Sequence, residues 1–351
     1  MIRHLLRHGV ERVLWVDPYP NRLPRPGDLL RAPAGAGAGA EQERAHGDVE
    51  VLRLPALPLE PLPGCGWLQR VAAWRGPLER LRDFARPGTR LLVGRPGGLA
   101  AYLAEARDWS GIAYDAMDDF PAFYGGLSRL HMARVERRVV RRAQRIFVSS
   151  TALWRRFAGL GCPVERVANA FDPEAIAPPP GAAGAAGRPR VIGYIGTLGR
   201  WFDWDRVRAL AAACPEWELR LYGPVFVPPR RRLPANVRLE GPRPFAAVPE
   251  LLRTFGLGLI PFRTGRLTAA VDPVKYYEYR AAGLPVLSTA FGEMEGRGRA
   301  DGVFHLGGDP AAAVARARRW CPEPRVEAAW RRENAWPARL GPVAAWMESG
   351  P

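Results

Sequence analysis

Lysine is almost absent from this sequence. Of 51 Lys and Arg positions one, Lys275, is a lysine. The rest are arginine, set among 38 glycines, 36 prolines and abundant alanine. That is the codon bias of a GC-rich coding sequence. It explains arginine in place of lysine, but not the net charge of +16. A lysine kept against this bias is either a chance survivor or a position that needs a compact ammonium rather than a planar guanidinium. Cysteine is scarce as well. Cys65, Cys162, Cys214 and Cys321 are scattered without a CxxC pair, which argues against a zinc site or a disulfide framework and favours a reducing cytoplasm. No apolar run reaches the roughly 18 residues of a spanning helix. The N-terminus MIRHLLRHGVERVLWVDPYP lacks a signal peptide's apolar core and cleavage site. No zinc finger, RRM or similar motif accompanies the positive charge, so no nucleic-acid partner is expected. No metal site is evident either.

At 351 residues the chain is long enough for two domains. Its first half opens on a helix-like segment ending at Gly9, followed by a strand over 12–17. A Rossmann half normally opens on a strand and a Gly-rich turn. Both are missing ahead of this helix: either the given start lies downstream of the natural one, or this half has lost its first strand. Residues 32–47 are low-complexity. Strands then read at 49–54, 91–94, 112–115 and 146–148, with helices over 67–86, 97–107, 127–145 and 151–160. The stretch APPPGAAGAAGRPR, 177–190, is the best domain boundary. After it the pattern restarts, with strands at 191–196, 218–222, 237–240, 257–262 and 286–288. Helices read at 203–214, 245–254 and 274–282. A Trp-rich helical segment over 326–349 is interrupted by Pro337 and Pro342. Strand–helix alternation predicts parallel sheets covered on both faces. The expected architecture is α/β, two Rossmann-like doubly wound domains facing a cleft, where such sheets bind ligands. The domains are expected at 1–176 and 191–325 around the linker 177–190, with 326–351 crossing back to the first.

Several segments resemble bacterial GT-B glycosyltransferases of the teichuronic-acid and exopolysaccharide type. The most specific is Asp272-Pro-Val-Lys-Tyr-Tyr-Glu-Tyr-Arg-Ala-Ala-Gly-Leu-Pro-Val286, which is similar to a donor-site signature read loosely as K-x-x-E-Y-x-A-x-G-x-P-V. Val191-Ile-Gly-Tyr-Ile-Gly-Thr197, Leu221-Tyr-Gly-Pro224, Gly258–Phe262, Tyr114-Asp-Ala-Met-Asp-Asp119, Glu136, Ser149-Ser150, Asn169-Ala-Phe-Asp172 and Asn334–Arg339 follow in the family's order. The likeness runs from about residue 110 onward. It implies a nucleoside-diphosphate sugar as donor, a glycan or lipid-linked acceptor served by the first domain, and no bound cofactor. With the cysteine pattern and the arginine-rich helix 134–145, the expected place is the cytoplasm, either free or peripheral on the inner face of the plasma membrane.

The residue chemistry agrees with that resemblance. Glu278, read at the start of a helix, can accept two hydrogen bonds from a ribose diol; the alternative is an acid serving the helix dipole. Lys275, one turn earlier, can neutralise donor phosphate. Gly196 and Thr197 at a strand-to-helix turn offer backbone N–H groups to a diphosphate. Arg200 is a candidate phosphate clamp, while Tyr222 and Gly223 end a strand and can flank the base. Many retaining relatives carry a second glutamate eight residues before the position of Glu278. Here that residue is Ala270, and Asp272, the nearest acid, is the candidate for contact with the donor-sugar hydroxyls. This leaves inverting and retaining chemistry both open. If the reaction is a direct displacement, Asp118 or Asp119 can act as the general base, and their proximity would raise the pKa of one of them. The competing reading is that they cap a loop. Asp203-Trp-Asp205 reads as a helix start rather than a metal motif. Arg134, Arg137, Arg138, Arg141, Arg142 and Arg145 form either a solvated face or a contact for anionic lipid. The other functional readings are a non-catalytic, donor-binding partner of another transferase and a sugar-nucleotide epimerase.

Overall fold

A computed structural model describes residues 2–6, 10–17, 49–53, 75–106, 109–178 and 187–349. The low-complexity stretch 32–47, Cys65 and most of the expected linker lie outside these residues. The chain divides into two compact units. Unit 1 comprises Met1–Val148, Leu153–Val167 and Leu340–Pro351; unit 2 comprises Ser149–Ala152 and Ala168–Arg339. The changeover at Val167/Ala168 precedes the Pro/Gly-rich stretch because the intervening segment already belongs to unit 2. Phe171 bridges to Ala335 and stacks on Trp330, and Ile176 is buried in the unit 2 core.

In unit 1 a short helix, α1 (Ile2–Leu6), precedes β1 (Val13–Asp17), which pairs in parallel with β2 (Val49–Arg53). Next come α2 (Arg75–Phe84), β3 (Arg90–Val93), α3 (Gly98–Ala106), β4 (Gly111–Ala116), α4 (Gly126–Arg142), β5 (Arg145–Val148), α5 (Thr151–Phe157) and β6 (Val164–Arg166). The strands β3-β4-β5-β6 form one parallel sheet in chain order. Each crossover steps the same way, so right-handed connections bring α3 and α4 to one face. The apolar stripe of α4 is buried at Met132, Val135 and Val139 as its spacing predicts. Ala143 falls outside the helix as its C-cap. Glu136 joins the buried face, which its charge did not suggest.

Unit 2 holds β7 (Val191–Ile195), α6 (Trp204–Ala213), β8 (Glu218–Tyr222), β9 (Val237–Gly241), α7 (Val248–Arg253), β10 (Leu257–Ile260), α8 (Val274–Ala281), β11 (Val286–Ser288), β12 (Val303–His305), α9 (Pro310–Arg318), α10 (Pro324–Glu333) and α11 (Trp336–Arg339). The last helix, α12 (Gly341–Glu348), belongs to unit 1. There its Trp346 packs edge-on against Phe147. Pro337 and Pro342 sit in the first turns of α11 and α12, where a missing N–H costs nothing. Asp203 caps α6 by accepting from Arg206 N at 3.0 Å, which is the helix start its sequence suggested. The three-residue strands β6 and β12 and the helix α9 were not legible. Val164-Glu-Arg166 and Val303-Phe-His305 are too short and too polar at their ends to stand out as apolar runs, and the Ala/Arg run of α9 carries little pattern.

The unit 2 sheet runs β12-β11-β10-β7-β8-β9, parallel throughout. From the outermost of the early strands this is third, second, first, fourth, fifth, sixth. It is the order of dinucleotide-binding sheets, whose crevice opens at the carboxyl ends of the first and fourth strands. Here those strands are β7 and β10. They are paired through Gly193 and Gly258, and both glycines are forced by packing. A Cβ on Gly193 would stand 2.1 Å from the Phe255 ring, and one on Gly258 2.3 Å from the Tyr279 ring. Gly258 thus lets α8 lie close on β10. Arg280 of α8 is buried between the rings of Trp320 and Trp330 and paired with Glu327 of α10 at 2.7 Å. Gly258→Ala is expected to cost about 1–3 kcal/mol by overpacking, lowering the thermal midpoint in calorimetry. It should also weaken any ligand held by α8.

Candidate functional site

Three neighbouring strands of unit 2 end on glycines with left-handed backbone: Gly196 after β7 (φ +145°), Gly223 after β8 (φ +138°) and Gly241 closing β9 (φ +71°). Gly196 N donates to Tyr222 O and Gly223 N to Gly241 O, each at 2.8 Å. A Cβ on Gly223 would stand 2.0 Å from Gly196 O. These ends therefore close on one another backbone to backbone, and no side chain fits between them. Thr197 is half-buried just beyond and its carbonyl accepts from Tyr194 Oη at 2.8 Å. Tyr222 is buried and Arg200 exposed.

Across the switch point, α8 brings Lys275 onto the same spot. A Cβ on Gly196 would meet Lys275 Cε at 2.4 Å and Nζ at 2.7 Å. The ammonium lies 5.5 Å from the Tyr194 ring centroid and 5.8 Å from that of Phe262. Burial pushes the Lys275 pKa down, and the Glu278 charge opposes that shift. Burial pushes the Glu278 carboxyl up, with Lys275 opposing. The ammonium thus stands at the carboxyl ends of β7 and β10, and the Glu278 charge opposes the effect of its desolvation without cancelling it. Glu278 stands in the second turn of α8, not at its start, because the helix begins at Val274. The helix-dipole explanation of this acid therefore falls away.

The placement of α8 is fixed by groups with no part in the motif as read from sequence. Tyr279 Oη accepts from Ile195 N at 3.0 Å, so the last amide of β7 is bonded to the helix. Asp272 is buried and fully engaged. Its Oδ2 accepts from Asn169 N at 2.9 Å and Tyr277 Oη at 2.8 Å, and its Oδ1 from Arg297 at 2.8 Å. Arg297 lies over the Tyr276 ring at 4.0 Å. Asp272 thus ties the 168–172 segment and the 291–297 loop to the start of α8. The sequence suggested contact with sugar hydroxyls for this residue; in the structure its carboxylate is spent on the protein. Tyr279 and Arg297 escaped sequence reasoning, since a buried tyrosine at helical spacing reads as core.

In unit 1 a cluster of acids forms at the carboxyl end of β4. Tyr114 Oη donates to Glu136 Oε1 at 2.9 Å. Arg156 of α5 bridges Glu136 Oε2 and Asp119 Oδ1, the latter at 2.8 Å. Burial and the neighbouring Asp119 charge push Asp118 up to about 6. Burial alone pushes Asp115, on the opposite face of β4 from Tyr114, up to about 7. The structure separates the two adjacent aspartates. Asp119 is held in an ion pair, whereas Asp118 retains a proton affinity suited to acid–base work near neutrality. Asp115 was missed because a lone acid on a strand carries no pattern. Among the described residues no group of three or more His, Cys, Asp or Glu is placed to hold a metal ion.

The comparisons with known proteins bear on these observations. No protein-family model matches the chain. Over 209 residues it is 28% identical to TuaH of Bacillus subtilis (strain 168), a protein provisionally assigned as a teichuronic acid biosynthesis glycosyltransferase. That match covers 53% of this chain and 52% of TuaH, so the chain spans about half the length of the curated relative it matches. Among solved structures, Anabaena Alr3699/HepE in complex with UDP and glucose aligns over 96% of this chain and 95% of its own, with TM-score 0.57 and 17% identity. Sucrose-phosphate synthase from Thermosynechococcus elongatus aligns over 98% and 90%, with TM-score 0.63 and 14% identity. The lipopolysaccharide outer core galactosyltransferase WaaB aligns over 89% and 87%, with TM-score 0.55 and 12% identity. The fold is therefore GT-B: two Rossmann-like α/β units in one chain.

The raised Asp115 pKa has a consequence for stability. The stability that accompanies its neutral form is present in full below about pH 4 and is gone once pH rises through about 7. Asp115→Asn should therefore raise the thermal midpoint at pH 8 and leave it nearly unchanged at pH 4. The gain has a ceiling of about 4 kcal/mol, and thermal melts at both pH values read it.

Proposed function

We propose that this protein is a glycosyltransferase that moves a sugar from a nucleoside diphosphate sugar to a glycan or lipid-linked acceptor in cell-surface polysaccharide synthesis. The observation that carries the reading is the position of the chain's one lysine. It lies against Gly196 at the switch point of a sheet with dinucleotide-binding strand order, with Glu278 one turn along the same helix. In this reading Lys275 and the backbone at Gly196 and Thr197 hold the diphosphate. Glu278 accepts from the ribose hydroxyls, Tyr222 and Gly223 border the base, and Arg200 approaches the phosphates from the surface. Departure of the diphosphate is eased by the Lys275 charge in a poorly solvated place. HepE was crystallised with UDP, with UDP-glucose, and with UDP and glucose, and the likeness of fold makes uridine nucleotides the first donors to try.

On the acceptor side Asp118 takes the proton of the attacking hydroxyl if the reaction is a direct displacement, with Asp119 raising its basicity from within its ion pair. The protein would act in the cytoplasm at the inner face of the membrane, with no bound cofactor. No helix among the described residues is long and apolar enough to cross a membrane.

Calorimetry with a panel of nucleoside diphosphates and their sugars tests the donor site. Glu278→Ala is expected to weaken binding about 10- to 100-fold while the melting temperature stays within a few degrees. Unchanged affinity, or no binding of any sugar nucleotide to the parent protein, would sink the donor assignment. Consumption of donor with no acceptor present would instead favour the epimerase. The acid limb of transfer activity should fall with an apparent pKa near 6. Asp119→Asn should move that limb to lower pH, because it removes the like charge. A limb that does not move excludes Asp118 as the base.

A further inference from the structure

The basic helix α4 carries an exposed stripe different from the one its arginine content suggests. Leu127, Leu130, Arg134, Arg137 and Arg141 recur at spacings of three, four, three and four. At 3.6 residues per turn they fall within an arc of roughly 80° and run roughly 21 Å along the axis. Leu127 is 73% exposed and Leu130 54%, and the three arginines are exposed as well. Met132, Val135, Glu136, Val139 and Val140 occupy the buried side of the helix. The other arginines of the segment are engaged within unit 1. Arg138 forms a two-point pair with Glu105, Arg142 Nε donates to Ala104 O, and Arg145 pairs with Glu165. Arg137 bonds only to the carbonyl of Ala133 in its own helix. Among the described residues Arg134, Arg137 and Arg141 form no ion pair.

We propose that this stripe docks α4 on a bilayer surface rich in anionic lipid, with Leu127 and Leu130 entering the interface and Arg134, Arg137 and Arg141 meeting lipid phosphates. Charge complementarity selects the occupant. The stripe is cationic over its C-terminal half, in a chain of net charge +16. The two leucines then separate a bilayer from a polyanion. A nucleic acid held through its phosphates would leave the two protruding leucines in water, whereas a lipid interface takes both kinds of group in one helix face. The inference rests on the transferase reading for its purpose, since a lipid-linked acceptor is presented at such a surface. Docking is measured without sugar nucleotide, so its failure leaves the donor test untouched.

The experiment is co-sedimentation of the full chain with vesicles of phosphatidylcholine alone and of phosphatidylcholine with an equal part of phosphatidylglycerol. Binding is expected to the anionic vesicles and not to the neutral ones, and it should weaken steeply as salt is raised. Arg134→Glu with Arg137→Glu and Arg141→Glu should weaken it about 100-fold, at about fivefold per arginine lost. Leu127→Ser with Leu130→Ser should weaken it about tenfold. The control reverses the same number of charges at Arg230, Arg231 and Arg232 in unit 2. These are exposed and follow an exposed Phe226; a loss under about fivefold is expected there. Equal losses at the two arginine sets, no loss at either leucine, or no sedimentation of the parent protein with anionic vesicles would each overturn the proposal. The salt dependence is read on the parent protein and requires no variant to fold.

Discussion

The candidate site depends on one close approach, that of α8 to β10, where Gly258 offers no side chain to hold the helix away. Through that gap Tyr279 reaches the last amide of β7, and the helix is locked in register with a strand it does not follow in sequence. Lys275 and Glu278 ride on that placement. Had the helix stood one methyl group further out, the ammonium would not lie on Gly196, and its place beside the Tyr194 and Phe262 rings would be lost. Dense packing is what makes so small a spacing consequential.

The surroundings of α8 follow from that constraint. Its N-terminal end is held by Asp272, which satisfies donors from two other segments at once. Its C-terminal end is held by Arg280 between two tryptophans, with Glu327 completing the charge. Both are buried charges made tolerable by partners on all sides. Lys275 differs in kind. It is half-buried beside Glu278, whose charge opposes its downward pKa shift without cancelling it. The same contrast recurs in unit 1. Asp119 and Glu136 share the guanidinium of Arg156, while Asp118 and Asp115 hold their protons more tightly than ordinary aspartates.

The arginine-rich helix shows how far composition carries an argument. Six arginines on one segment suggest a uniform cationic face. Three of them are taken up by Glu105, Ala104 and Glu165. The surface left over is narrower, and two leucines belong to it.

The sequence by itself determined the class of the fold. Strand and helix alternate along the chain, and glycines mark strand ends in unit 2. It also singled out Lys275 and Glu278, since one lysine among fifty arginines stands out without coordinates. Tertiary structure alone decided what those residues touch and which neighbours are spent. That Asp272 is consumed by Asn169, Tyr277 and Arg297, that Arg156 separates Asp119 from Asp118, and that Tyr279 spans a glycine gap are pairings across long stretches of chain. Local pattern cannot encode them, because burial and charge compensation are properties of segments brought together only by folding.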